Sequence, residues 1–164
     1  MKPIMTAVTV FFMFTITAIN TFAASKIEQP ADCQLCGMKR TIFTYSRALV
    51  EYTDGTKSGT CSINCAMTDI KKNHGKKIKS IKVADFGTKK LINATTAFWV
   101  IGGDVDGVMT PVAKWAFARQ IDAQLFVKEH GGWVAPFKEV QQAVNEELEM
   151  KEKDGGHQQH NHNH

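Results

Sequence analysis

The sequence predicts an α+β fold: two strand-strand-helix-strand modules, each a small antiparallel sheet packed by a helix, followed by a C-terminal helix and a disordered His-rich tail. Three observations carry this expectation. Hairpin-like strand pairs at residues 47–61 and 97–118 are each followed by a helical segment running into glycine. The step from Cys61 to His74-Gly75 equals the step from Phe117 to His130-Gly131, as an internal repeat requires. Beyond Pro136, Val140, Val144 and Leu148 recur four apart as one apolar helical stripe.

At 164 residues and 43% apolar content the chain suits one domain with a modest core. The formal charge of +4 is small and the lysines between Lys71 and Lys90 are spread out. They read as a solvated basic face, so nucleic acid is not an expected partner.

Lys2, an apolar run from Ile4 to Ile19 and the small residues around Ala23 have the layout of a secretory signal peptide over residues 1–24. Cleavage is expected after Ala23 or Ala24, leaving a periplasmic or otherwise exported, soluble protein that meets a membrane only through an uncleaved leader. No cysteine stands at the cut site, so a lipoprotein anchor is not expected. A metal-binding domain over 25–151 follows, with modules at about 31–90 and 91–140, a C-terminal helix at about 137–151 and the tail at 152–164.

Residues 25–32 read as a polar lead-in, and Cys33 to Met38 as a tight turn with Gly37 free to take a left-handed conformation. Arg47 to Tyr52 and Lys57 to Cys61 form a hairpin about Thr53-Asp54-Gly55. Ser62 or Asn64 then caps a helix running to about His74, stopped by Gly75, and Ile78 to Phe86 makes a further strand. In the second pass, Ala97 to Ile101 and Lys114 to Ala118 are the strand pair. A helix with Ile121, Leu125 and Phe126 as its apolar residues follows, ending at Gly131-Gly132, and Trp133 to Ala135 is the closing strand.

All four cysteines lie in two close pairs, Cys33-x-x-Cys36 and Cys61-x-x-x-Cys65, with Met38 just beyond the first. Such short spacings let two sulfurs on one turn converge on one ion. A closed four-thiolate Zn(II) site, a Cu(I) site using Cys36, Met38 and further soft ligands, and metal-free disulfides are three states compatible with the pattern. In an exported protein, the thioether of Met38 beside Cys36 pulls towards Cu(I). Met67 reads as core, whereas Met109, in a Gly-rich polar turn before Pro111, is a candidate distant thioether ligand. His74 and His130 stand at helix ends, where the dipole favours a cation, and His130 is the better candidate ligand of the two. The terminal histidines can collect divalent metal through neutral imidazoles. No Gly-rich phosphate loop or nucleophile elbow appears, and the strand-helix setting of a thioredoxin is missing around Cys33, so the chain is not expected to be an enzyme.

Taken in order, Cys36-Gly37-Met38, Tyr52-x-Asp54-Gly55, Ala97-Phe98-Trp99-Val100, Met109, Ala123-x-x-Phe126 and His130-Gly131-Gly132 resemble the NosL-type nitrous oxide reductase accessory proteins. The resemblance covers most of residues 31–140 and implies a two-module fold related to that of the organomercurial lyase. It also implies an exported Cu(I)-binding metallochaperone that supplies a copper-accepting apo-enzyme. It matches Cys36 and Met38 to the family's copper-binding Cys-Gly-Met and Met109 to a recurrent methionine. The Cys61 and Cys65 pair, the histidine tail and the lack of a lipoprotein cysteine depart from the pattern. The candidate metal-site residues are therefore Cys33, Cys36, Met38, Cys61, Cys65, Met109 and His130. The alternatives are a structural Zn(II) module that mediates protein interaction and a heavy-metal scavenging protein.

Overall fold

A computed structural model describes residues 27–157; the expected leader and the histidines from His160 on lie outside the described residues. The first module contains β1 (Ala48–Tyr52), β2 (Lys57–Thr60), α1 (Ile63–Lys72), β3 (Ile78–Ala84) and β4 (Leu91–Asn93). The second contains β5 (Phe98–Ile101), β6 (Lys114–Phe117), α2 (Gln120–His130) and β7 (Trp133–Ala135), and α3 (Phe137–His157) closes the chain.

The expected repeat is present in the topology. One sheet has the order β2-β1-β3-β4 and the other β6-β5-β7, so in each the first strand of the hairpin lies between its partner and the strand that follows the helix. All these strand pairs are antiparallel. β4 is the strand the sequence did not announce. Its three residues pair with Lys82, Val83 and Ala84, so the first sheet extends past residue 90.

The equal steps to glycine do not correspond in the fold. α2 is capped by Gly131, but α1 ends at Lys72 because Asn73 caps it, donating its backbone N–H to the carbonyls of Asp69 and Ile70 and its side-chain amide to that of Asp69. Gly75 is therefore not the stop, and His74 lies beyond the helix, exposed. On α2 the apolar face also differs from expectation. Ala123 and Phe126 are buried, whereas Ile121 and Leu125 are each more than half exposed. A short helix on a three-stranded sheet has only a narrow buried stripe, and one small and one aromatic residue fill it.

Strand alternation divides the core in two. Trp99 and Ile101 of β5 and Ala116 of β6 pack with Ala48, Val50, Tyr52 and Val83 of the first sheet, with Ile63 and Ala66 of α1, and with Phe137 and Val140 of α3. Trp99 stacks on Phe137 with ring centroids 5.7 Å apart and donates its indole N–H to the Ala94 carbonyl. Met67 packs against this core, as expected. Phe98, Val100, Trp115 and Phe117 face the other way and meet Phe126 of α2, and the cysteines belong to this second cluster.

Lys114 lies on the first-core side of β6, and its ammonium reaches the Glu147 carboxylate of α3 at 2.6 Å, with both side chains buried. Burial pushes the Lys114 ammonium below its usual range, and Glu147 offsets only part of that. Glu147 also accepts from Asn64 of α1 and from Thr110. One carboxylate thus ties α3 to both modules, and a buried charge needs such partners. Val140 and Val144 are fully buried and Leu148 is half-buried, so the stripe is real. The helix runs on to His157 instead of ending near Lys151, with Glu152 bonded to Lys71 of α1.

On β1, Glu51 is flanked by Lys57 at 2.9 Å, Lys82 at 3.3 Å and the Ser80 hydroxyl at 2.8 Å. Hydrogen bonds from Lys57, Ser80 and Lys82 hold its carboxyl down to about 2 against an ordinary 4.5. A depressed carboxylate contributes stability above its unfolded pKa and loses it as pH falls through the folded value. Stability should therefore drop as pH falls from about 4.5 towards 2, and Glu51→Gln should flatten that decline in urea midpoints measured against pH.

Candidate functional site

The first cysteine pair is carried by a closed turn. Cys33 donates its N–H to the Met38 carbonyl and Gly37 donates to that of Cys33, both at 2.8 Å, with Gly37 at φ 75°. A side chain at that φ would be strained, so glycine suits the position. The second pair brackets the start of α1. Cys61 follows β2, Ser62 is the N-cap, and the Cys65 N–H donates to the Ser62 hydroxyl at 3.3 Å. Ser46 fixes the Cys61 carbonyl at 2.8 Å.

Two contacts bring these segments together. The Gln34 N–H donates to the Gly59 carbonyl at 2.9 Å, laying the turn along β2. Arg40, fully buried, donates to the carbonyls of Glu28, Pro30, Ala48 and Thr60 and to the Glu28 carboxylate, while Arg47 grips the same carboxylate at 3.0 Å. Burial raises the Glu28 pKa, but Arg47 and Arg40 outweigh it and hold the carboxyl below its usual range. The expected polar lead-in is therefore an anchored segment, with Ile27 buried as well. Arg40, Arg47, Glu28 and Gly59 are site-building residues that the motifs did not reveal. Gly59 carried a readable signal, since an isolated glycine inside a strand marks close backbone approach. A Cβ there would lie 2.6 Å from Arg40 Nη1 and 2.9 Å from Pro30 Cδ. Gly59→Ala should accordingly cost about 1–3 kcal/mol in urea denaturation, as overpacking does.

The outcome is a cluster of four free thiols whose Sγ atoms all lie within 4.8 Å of one another. Cys61 is central, its Sγ 3.6 Å from those of both Cys36 and Cys65. With metal–sulfur bonds of about 2.3 Å, a tetrahedral four-thiolate site has sulfur–sulfur edges of about 3.8 Å. Cys33, Cys61 and Cys65 are buried and Cys36 is half-buried. Their surroundings are apolar and aromatic. Trp115, Phe117 and Phe126 share the cluster, Phe86 lies 5.2 Å from Trp115 between ring centroids, and Leu35 and Met38 pack against it.

Four thiolates this close in an apolar setting repel one another strongly. Hydrogen bonds from Cys61 and Cys65 pull the Cys33 thiol far below its usual range, while their interaction with Cys33 pushes Cys61 far up and Cys65 up to about 12. The thiols of the metal-free cluster thus titrate together, and an entering cation would displace the protons they keep.

The structure brings together Cys33, Cys36, Cys61 and Cys65, with Met38 on the same turn. Met109 is about half exposed at φ 60° and lines a cavity of about 170 Å³ with Leu35, Cys65 and Leu148, next to the cluster. His130 is not among the gathered donors. Its Nδ1 lies 3.0 Å from the Asp104 carboxylate and its ring packs on Phe126, where the end of α2 meets the loop after β5.

Comparison with known proteins agrees with this picture. The copper-binding lipoprotein NosL of Stutzerimonas stutzeri is 36% identical over 67 residues, which is 41% of this chain and 35% of that protein, so the match spans about a third of the relative's length. The crystal structure of the copper chaperone NosL from Shewanella denitrificans superposes with a TM-score of 0.59 at 23% identity, covering 72% of this chain and 95% of that one, which shows a shared fold. The NosL family model matches residues 24–145, the two modules and the first turns of α3 together, and the chain belongs to the NosL family.

Proposed function

We propose that the protein is an exported copper-handling accessory protein that binds Cu(I) at the cysteine cluster and passes it to a copper-accepting apo-enzyme. The observation that carries this reading is the convergence of four Sγ atoms within 4.8 Å in a chain of the NosL family, with one cysteine of the four on the accessible side. Soft thiolate and thioether donors suit Cu(I). Cys33, Cys61 and Cys65 would hold the ion from the buried side, and Cys36 and Met38 would complete it from the turn. Because Cys36 is the least buried of the four, an acceptor's ligand would enter there and replace it first, and transfer would proceed by ligand exchange. Met109, at the neighbouring cavity, is a further thioether within the same region, and nitrous oxide reductase maturation is the client process the resemblance points to. On this reading the protein has no catalytic residues. Its export rests on the leader-like N-terminus and on the lipoprotein relative.

The test is competition for Cu(I) between a chelator and the reduced protein lacking residues 158–164, beside the Cys36→Ser, Met38→Leu double variant. The wild type should win the ion at chelator concentrations where the variant loses it. Equal binding by the two proteins would overturn the assignment.

One observation favours a second reading. The 3.6 Å sulfur–sulfur separations are close to the edge of a tetrahedral four-thiolate site, the arrangement of structural Zn(II). That reading requires stoichiometric zinc that survives gentle chelation, and loss of the fold when it is finally removed.

A further inference from the structure

The geometry that gathers four donors for a metal also places free thiols within reach of one another for covalent chemistry. In thiol–disulfide exchange, one thiolate attacks an outside disulfide and a second thiol resolves the mixed disulfide that results. The cluster is asymmetric in the way that reaction needs. Cys36 is half-buried on its turn, whereas Cys33, Cys61 and Cys65 are only 3%, 0% and 1% exposed. An outside disulfide can therefore meet Cys36 before any of the other three. Cys61 Sγ stands 3.6 Å from Cys36 Sγ, and a disulfide bond is about 2.05 Å long, so the two sulfurs need to approach by only about 1.5 Å. Cys61 is the fixed member, fully buried and with its carbonyl held by the Ser46 hydroxyl, so the approach falls to the Cys36 side chain. Cys65 is as close to Cys61, at 3.6 Å, but both of those sulfurs are buried and an outside disulfide cannot start the reaction there.

We propose that Cys36 and Cys61 are a redox pair that gates the metal site, Cys36 attacking a small-molecule disulfide and Cys61 resolving the adduct. In the first step the Cys36 sulfur, its proton lost to solvent, attacks one sulfur of the disulfide RSSR. A Cys36–SR bond forms, the S–S bond of RSSR breaks, and one RS⁻ leaves. In the second step the Cys61 sulfur attacks Cys36 Sγ, the Cys36–Cys61 bond forms, and the second RS⁻ leaves. The two protons given up by the cysteines are taken by the leaving thiolates, so two electrons pass to the disulfide and two RSH are released. The consequence for copper rests on the Cu(I) assignment of the cluster. Oxidation removes the central and the most accessible donor together, leaving Cys33 and Cys65 as thiols, so a bound ion and the bridge exclude each other. The coupling is reciprocal: the ion protects the pair from oxidation, and oxidation releases the ion.

The test exposes the full chain, reduced and metal-free, to excess oxidised glutathione, with acid quenching, alkylation and peptide mass spectrometry to map the bridges. One main bridge, joining Cys36 to Cys61, is expected. Cys61→Ser should trap glutathione on Cys36, and Cys36→Ser should slow oxidation about tenfold or more, since it removes the accessible attacking sulfur. Loading the wild type with one equivalent of Cu(I) beforehand should slow bridge formation by a similar factor, and the oxidised protein should yield to a chelator the Cu(I) that the reduced protein retains. A main bridge between Cys33 and Cys36 or between Cys61 and Cys65, no glutathione on Cys36 in Cys61→Ser, or no bridge at all would overturn the redox pair. Equal oxidation rates with and without a retained Cu(I) would overturn the gating. A reduced chain that forms the expected bridge but does not bind Cu(I) would support the pair and overturn the copper assignment instead, so the two failures are distinguishable.

Discussion

Cys61→Ser should lower Cu(I) affinity by at least about a hundredfold, the largest single effect in the cluster. Four-ligand thiolate and imidazole zinc sites bind with about 10–16 kcal/mol, so one ligand of four is worth about 2.5–4 kcal/mol. At 1.4 kcal/mol for each factor of ten, that is about two to three orders of magnitude in affinity. Cys61 should lie at or beyond the upper end of that range, because its Sγ is 3.6 Å from those of both Cys36 and Cys65 and its side chain is fully buried. A serine oxygen is a hard donor that Cu(I) does not favour. Chelator competition on reduced protein measures the loss, with circular dichroism as the control that the fold survives. Cys36→Ser should cost less in affinity and more in transfer rate, since Cys36 stands on the accessible side. An affinity for Cys61→Ser within threefold of wild type would place the ion elsewhere.

Arg40→Ala is the variant expected to damage stability most, by about 3–5 kcal/mol, the range for breaking a buried charged pair. The guanidinium is fully buried and meets four backbone carbonyls and the Glu28 carboxylate. Removing it takes away those hydrogen bonds and leaves Glu28 with Arg47 alone. Thr60, one of the carbonyl partners, immediately precedes Cys61, and Pro30 lies just before Cys33, so the same substitution should loosen the junction of the two cysteine pairs. Urea denaturation of the metal-free protein reads the stability. Adding Cu(I) should restore part of it, because a ligand that binds only the folded state stabilises by mass action. Arg40→Lys should not rescue, since one ammonium cannot reproduce the planar fork of donors. A loss under 1 kcal/mol for Arg40→Ala would show that the anchored segment contributes little.

Much of the fold was legible because it is written locally. The hairpin turn at Thr53 to Gly55, the Ser62 cap, the Gly131 stop and the β5 strand are each set by a few neighbouring residues. The repeat was legible in outline, yet the equal step to glycine misled, since Asn73 ends α1 before Gly75 is reached. The exposure of Ile121 and Leu125 was not legible, because which face of α2 is buried depends on what the second sheet presents to it. β4 was missed because Leu91–Asn93 has too few residues to show a period, and it is defined by its pairing with β3.

For the site, the sequence alone supplied the donors: two close cysteine pairs, a methionine beside one of them, and a glycine that lets the turn close. Those depend on residue identity and short spacing. The meeting of the two pairs was decided by the tertiary structure. Residues 36 and 61 are far apart in the chain, and what brings them to 3.6 Å is the Gln34 to Gly59 hydrogen bond and the buried Arg40 lattice. Tertiary structure likewise tied His130 to Asp104. Periodicity and spacing report which atoms a segment can offer. Which atoms face each other follows only when burial of the apolar faces sets the packing of sheets and helices.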